Sequence, residues 1–274
     1  MVTAFALPPP SPVLHALVAK VSDPRHTTAD VVDIIRVDAG LTAVLLQLGN
    51  SPFFARSGSR VATVDDAVLR VGETEVIRQI AARLTRWIMT SEGNGDGLAR
   101  ELLWRRSLMA AIAADELAER NGVNRAIAFT VGLLLDIGTL AIGSMVGARA
   151  MEGNVPESDE DGETRQRMAE GVLLGHSHAE IGAVLTEQWR LPSMISTAIR
   201  FHHSPQSAPV PSAIVDICHV ADAIAGQCIG HPSMSDDTGP DEDIVKRLGL
   251  TGSALESLCA DVAARYLRER DLWA

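Results

Sequence analysis

The sequence predicts an all-α protein. Three observations carry this. The chain is 46% hydrophobic but only 4% aromatic, and its Ala, Leu, Val and Ile recur mostly at helical spacing. Hydroxyl or carboxylate caps precede the apolar-periodic runs, and glycine or proline follows them. No stretch alternates at period two for long enough to make a strand. With 274 residues the chain can form one large or two small domains with a sizeable core.

Ser11-Pro12 starts the first helix, a hydroxyl cap with proline at the first helical position, and Asp23-Pro24 stops it. Thr27 or Thr28 caps the next, with Val31, Ile34 and Ile35 on one apolar face. Asp38 opens a third, which ends at Gly49-Asn50, and SPFFARSGSR follows as a loop. Thr63 caps VDDAVLRV, Gly72 stops it, and a longer amphipathic helix runs on to Thr90. SEGNGDG, residues 91–97, reads as a flexible joint. A long helix spans Leu98 to Arg120, ended by Asn121-Gly122. Beyond an acidic loop (EGNVPESDEDGET) come helices from about Ser177 to Arg190, a capped one from Ser193 to His203, and one from Ser212 to about Gly230. HPSMSDDTGPDED is a second polar loop, and the last helices run from Ile244 to Trp273.

Between these elements lies Arg125 to Arg149, almost wholly apolar with the single carboxylate Asp136 at its centre. At about 1.5 Å per residue its apolar part could reach about 30 Å, and Gly143 with Gly147 makes a GxxxG. A carboxylate at mid-bilayer is costly, and Gly138 offers a helix stop. The expectation is therefore a buried helix–break–helix and no membrane contact. A carboxylate among so many apolar side chains must find a partner or lose its charge.

Net charge is −11, with no Lys/Arg cluster against it, which disfavours nucleic-acid binding. Cys218, Cys228 and Cys259 form no CxxC and no even-numbered framework, as reduced thiols in a cytoplasmic protein would. MVTAFALPPP lacks the basic region and apolar run of a signal peptide.

Polar groups that could gather in the core are Arg106, Asp136, His176, His178, His202, His203, His219 and Asp222. Histidine and carboxylate suit Zn, Mn or Fe, and a hydrolytic site needs several of them plus an open position for water. Lone helical histidines are more often packed or exposed than ligating. His202 and His203 diverge by about 100° if both sit on one helix, so one ion would not easily take both. Asp216, His219 and Asp222, at i, i+3 and i+6, read as a packing face. Ser57-Gly58-Ser59-Arg60 lacks a P-loop pattern and reads as a turn. Trp104 and Trp189 fit apolar faces, and no GxSxG or catalytic-cysteine signature is present.

Many collinear segments resemble the HDOD domain, a bacterial relative of the HD-type metal phosphohydrolases. LPPPSPVLHALV, VVDIIRVDAGLTAVLLQLGNSPFF and TVDDAVLRVGETEV resemble its N-terminal helical half. LWRRSLMAAIAADELAE, FTVGLLLDIGTLAIG, GHSHAEIGAVLTEQWRLPSMISTAIRFHH and IVDICHVADAIA resemble its HD-like half. The resemblance implies an HDOD domain over 7–227, made of an N-terminal subdomain at 7–92 and an HD-like bundle at 98–227. Residues 228–274 form an extension with no such match.

The departures bear on chemistry. HD-type hydrolases hold metal with a histidine on the long helix, an adjacent His-Asp pair, and a later aspartate. Here the first position is Arg106, the pair reads Leu135-Asp136, and Asp222 matches the last aspartate. His178, His202 and His203 match histidines that some relatives use for a second metal. The GYP signature of cyclic-di-GMP phosphodiesterases does not follow His202-His203. Leucine cannot ligate, and a guanidinium repels a divalent ion. The expectation is an Arg106–Asp136 ion pair, of bidentate form, in the degenerate site. The alternative places Arg106 in solvent and meets Asp136 with backbone N–H groups.

The resemblance implies a regulatory signal-transduction module, a pseudoenzyme that binds a signalling protein or a small, nucleotide-like ligand in a cavity between its halves. No receiver or DNA-binding element is attached in this sequence, so the module would be free-standing, with homodimerisation open. No cofactor is expected. The contrasting expectation is a phosphohydrolase that uses a divalent metal (Mn, Fe, Zn or Mg) on Asp136, His178, His202, His203 and Asp222.

Overall fold

The computed structural model describes residues 7, 11–55, 60–90, 97–143, 175–229 and 239–272. Most of the 91–97 joint, the acidic loop, much of the second polar loop, Ser57 to Ser59, Gly147 and Trp273 lie outside them. Among the described residues there is no strand, so the protein is all-α.

The N-terminal half comprises α1 (Pro12–Val21), α2 (Thr28–Arg36), α3 (Ala39–Gly49), α4 (Val64–Val71) and α5 (Glu73–Thr90). Ser11 caps α1 and Asp38 caps α3 through their side-chain oxygens. Of the two threonines before α2, Thr27 is the cap, closing a capping box with Asp30. Gly72 ends α4 at φ +90°, a conformation in which a β-carbon is strained.

The HD-like half is α6 (Gly97–Asn121), α7 (Arg125–Leu134), α8 (137–143), α9 (His178–Gln188), α10 (Ser193–Phe201) and α11 (Ala213–Ile229). α12 (Glu242–Arg247) and α13 (Gly252–Glu269) follow. α6 is the central strut, with α5, α7, α11 and α13 packed around it. One apolar cluster runs from Leu14 through Trp104, Phe129 and Trp189 to Tyr266, joining both halves and the extension.

Three local expectations are corrected. The apolar run does break, but at the turn 135–136 rather than after Gly138, which lies inside α8. Gly138 is there for close approach: a β-carbon would overlap the His178 carbonyl and lie 2.8 Å from the Gly182 nitrogen. α10 starts at Ser193 as expected but is not capped by a side chain, its cap position being Pro192. α10 ends at Phe201, before the His202-His203 pair. The window Arg125–Gly143 is long and apolar enough to cross a bilayer, yet 89% of it is buried inside the protein.

A second buried carboxylate organises the packing. Asp115 of α6 is fully buried and receives Arg125 through two bonds of 3.0 and 2.8 Å, Arg265 at 2.7 Å, and Arg78. These arginines come from α7, α13 and α5, so one side chain ties the N-terminal half, the bundle and the extension together. Glu75, Glu119, Glu116 and Glu269 pair with the same three guanidiniums, and Arg78 Nε is left without a partner. Burial alone would raise the Asp115 pKa, but its arginines outweigh that and hold it below the ordinary carboxylate range. At the edge of the N-terminal half, His26 bonds the Asp23 carbonyl and Glu73, both at 2.8 Å, which raises its pKa.

Asp115→Asn leaves three arginines facing a neutral amide, and by the usual cost of breaking a buried pair, stability falls by roughly 3–5 kcal/mol. A lowered urea midpoint checks this. Because the native Asp115 pKa is depressed, its contribution is present above about pH 4 and is lost as pH falls below that; the variant lacks this acid-side loss. For His26, whose native pKa is raised, the contribution is complete below about pH 6.5 and fades as pH climbs through the native value. His26→Asn therefore destabilises more at pH 6 than at pH 8.5, and equal losses at both would contradict the assignment.

Candidate functional site

Five segments converge on one cluster. α6 supplies Arg106. The turn between α7 and α8 supplies Asp136, which the break in the apolar run turns inward. α11 supplies Asp222. The first residue of α9, His178, and the two residues after α10, His202 and His203, complete the cluster. His178 is held in place from its own helix start: Ser177 and Glu180 on either side of it form a capping box, and Gly138 lets that helix end approach α8.

The guanidinium is forked between two carboxylates. Nη1 of Arg106 bonds Oδ2 of Asp136, and Nη2 lies 2.8 Å from Oδ1 of Asp222. The expected bidentate pair with Asp136 alone is thus replaced by a bridge to both aspartates. The contact with Asp222 is an ion pair without hydrogen-bond alignment, since that oxygen and Arg106 Nε both lack a hydrogen-bond partner. Arg106, Asp136 and Asp222 are all buried. Burial raises the Asp222 pKa, but Arg106 and then the three histidines outweigh it and hold the carboxyl below its ordinary range. Leu135 is fully buried beside Asp136 and offers no donor atom.

On the other side stand the histidines. His178 Nε2 and His203 Nε2 are 2.9 Å apart, so one ring donates and the other accepts. His178 lies 3.8 Å from Asp136, and His203 lies 3.9 Å from Asp222, both beyond hydrogen-bond length. His202 is fully buried, and its Nδ1 is 2.6 Å from the Ile199 carbonyl. A carbonyl can only accept, so the proton sits on Nδ1 and Nε2 carries a lone pair, which has no partner. Burial, with His203 next, pushes the His202 pKa well down and keeps the ring neutral.

These six residues are those the sequence singled out, and the structure brings them together. Because α10 stops at Phe201, the divergence expected between adjacent helical residues does not separate His202 from His203; their ring centroids are 3.9 Å apart. The cluster excludes two other candidates. His176 is exposed and contacts Glu180 at 3.3 Å. His219 engages both ring nitrogens elsewhere: Nδ1 donates to the His202 carbonyl at 2.7 Å, and Nε2 accepts from the Asp241 N–H at 2.9 Å. It is a positioning residue that fixes the backbone of His202. Asp216 pairs with Arg247 at 3.0 Å, so the packing face predicted on α11 splits, with Asp222 alone entering the cluster. A recess of about 380 Å³ lined by Arg60, Val61, Asp66, Leu69 and Arg70 lies in the N-terminal half and includes no cluster residue.

The donor set fits a divalent ion on one side only. Asp136, His202 and Asp222 place donors within 4.8 Å of one another, but both carboxylates already hold a guanidinium, whose fixed charge opposes an ion there. His178, His202 and His203 also place three ring nitrogens within 4.8 Å of one another. With the orphaned His202 lone pair, these match the imidazole donors that Zn, Mn or Fe accept.

The HDOD domain family's sequence profile matches residues 7–205. A curated relative from Treponema pallidum, itself uncharacterised, is 28% identical over 196 residues; the match takes in 69% of this chain but only 36% of that protein's length. Among solved structures, an HDOD domain protein of unknown function from Geobacter sulfurreducens is 25% identical with TM-score 0.63, covering 93% of this chain and 92% of its own. A provisionally named phosphohydrolase from Shewanella amazonensis is 26% identical with TM-score 0.64, covering 95% and 91%. A provisionally named signal transduction protein from Marinobacter aquaeolei shares the fold at 20% identity and TM-score 0.72, covering 98% of this chain and 58% of its own. With the profile matching most of its length, this chain belongs to the HDOD domain family.

Proposed function

We propose that this chain is a regulatory signal-transduction module without hydrolytic activity, which binds a signalling protein or a small nucleotide-like ligand. The observation that carries the reading is the Arg106 bridge. It places a permanent cation on both aspartates that would otherwise ligate a metal, while Leu135 removes a further donor. Metal affinity depends on ligand number, geometry and deprotonated ligands. Here the carboxylates are committed to a side chain that stays charged at any relevant pH. The net charge of −11 speaks against nucleic acid as the partner.

A second reading, a metal-dependent phosphohydrolase, is favoured by one observation: the unpartnered Nε2 of His202 beside His178 and His203. Those three imidazoles would hold a single ion, with Asp136 and Asp222 beside them and a second ion opposed by Arg106. When bound, such an ion supplies an activated water and offsets charge on a phosphoester. In that reading Arg106 keeps both aspartates ionised and oriented, and the histidines bind the ion.

Metal analysis of protein purified without chelator, paired with an assay on a chromogenic phosphodiester and on cyclic dinucleotides, separates the readings. The module reading predicts metal well below stoichiometric and no turnover. Near-stoichiometric Mn, Fe or Zn with turnover lost in Asp136→Ala would overturn it. The double variant Arg106→His/Leu135→His returns two imidazole donors and removes the competing cation. It is expected to gain at least a tenfold tighter divalent-ion affinity over wild type, by calorimetric titration, and equal affinity in both proteins would contradict the role given to Arg106.

A further inference from the structure

Two of the three cysteines meet where the C-terminal helix packs on the bundle. Cys228 lies in the last turn of α11 and Cys259 midway along α13, 31 residues apart in sequence. The Cys228 sulfur is 3.6 Å from the Cys259 carbonyl oxygen. The Cys259 sulfur is 3.3 Å from the side-chain oxygen of Gln227, the neighbour of Cys228. The Cys228 thiol thus sits against the backbone of Cys259, and the Cys259 thiol against the side chain next to Cys228. Both are free and partly buried, packed against the edge of the apolar core. Cys218, on the same helix as Cys228, is free but wholly buried and has no such neighbour in its contacts.

We propose that Cys228 and Cys259 form a disulfide when the protein meets a peroxide, a reversible staple between the C-terminal helix and the helix that supplies Asp222. The more open thiol, Cys259, attacks the peroxide oxygen as its thiolate. The O–O bond breaks, sulfur gives up two electrons, and sulfenic acid and water result. Cys228 then attacks that sulfur, the S–O bond breaks, and a second water leaves with the thiol proton. Two thiols and one hydrogen peroxide become one disulfide and two waters. Rotation about the Cα–Cβ bonds is the freedom that brings the two sulfurs to the distance and dihedral a disulfide requires. Burial, with the neighbouring thiol adding to it, raises Cys228 to about 11, and burial also raises Cys259. Little thiolate exists at neutral pH, so the bond forms slowly there and faster in alkali.

The test uses the full chain, reduced, desalted, and exposed to hydrogen peroxide at about pH 7 and about pH 9, followed by intact mass and peptide mapping. The expected result is a loss of two hydrogen atoms and one intrachain peptide pair joining Cys228 to Cys259, formed faster at the higher pH. That pair disappears in Cys228→Ser and in Cys259→Ser, and persists in Cys218→Ser. The oxidised protein melts roughly 5–10 °C higher, and dithiothreitol reverses the shift. Oxidation that ends in sulfinic or sulfonic acid on separate cysteines overturns the proposal, as does a pair that forms only between chains or only in urea. A bond that leaves the melting temperature unchanged overturns the staple. If a serine variant does not fold, the wild-type peptide map decides alone.

Discussion

A single guanidinium inserted between two buried aspartates sets the character of this protein's interior. Arg106 sits on the central helix α6, Asp136 on the break in the most apolar stretch, and Asp222 on α11, so one residue links three elements. Two carboxylates without it would face each other in a low dielectric, where an uncompensated charge is far more costly than at the surface. With it, each carboxylate has a fixed cation beside it. The same logic recurs at Asp115, where one carboxylate gathers three arginines from three parts of the fold. Arg106 and Asp115 both lie on α6, so this one helix meets buried charges from the turn at 135–136 and from α5, α7, α11 and α13.

The histidine side obeys a different constraint. His202 is neutral because it is buried, and its tautomer is set by a carbonyl that can only accept. Its lone pair therefore faces the cluster by construction, held there by the His219 bond to its backbone. The site is thus divided between a satisfied ion-pair face and an imidazole face that still offers donors. The proposed module rests on the ion-pair face, and the hydrolytic alternative on the imidazole face. HDOD membership sets the fold, and the chemistry of Arg106 supplies the argument for the module proposed above.

Much of this was legible in the sequence. Caps at Ser11, Thr27, Asp38 and Thr63 fixed helix starts because a side-chain oxygen must meet orphan N–H groups. Asp136 was found because a lone carboxylate in an apolar run demands a partner, and Arg106 emerged from the resemblance to HD-type sites. Applied to AAIAADELAE, the same demand would have found Asp115, but its helix also carries ordinary exposed acids such as Glu119, which hid it. Other features depend on tertiary distances that spacing does not encode. Gly138 looks like a helix stop until the His178 carbonyl is seen against it. His202 and His203 look divergent until their helix is seen to end at Phe201, before both of them. The fork to Asp222, 116 residues after Arg106 in numbering, needed the packing of α11 on α6.

The most direct measurement is anomalous diffraction from crystals of the wild-type protein grown with excess Mn²⁺. An arginine serving as the fixed cation predicts continuous guanidinium density bridging Asp136 and Asp222 and no anomalous peak between those carboxylates. A manganese peak there, with Arg106 swung out of the cluster, would contradict the account at its centre.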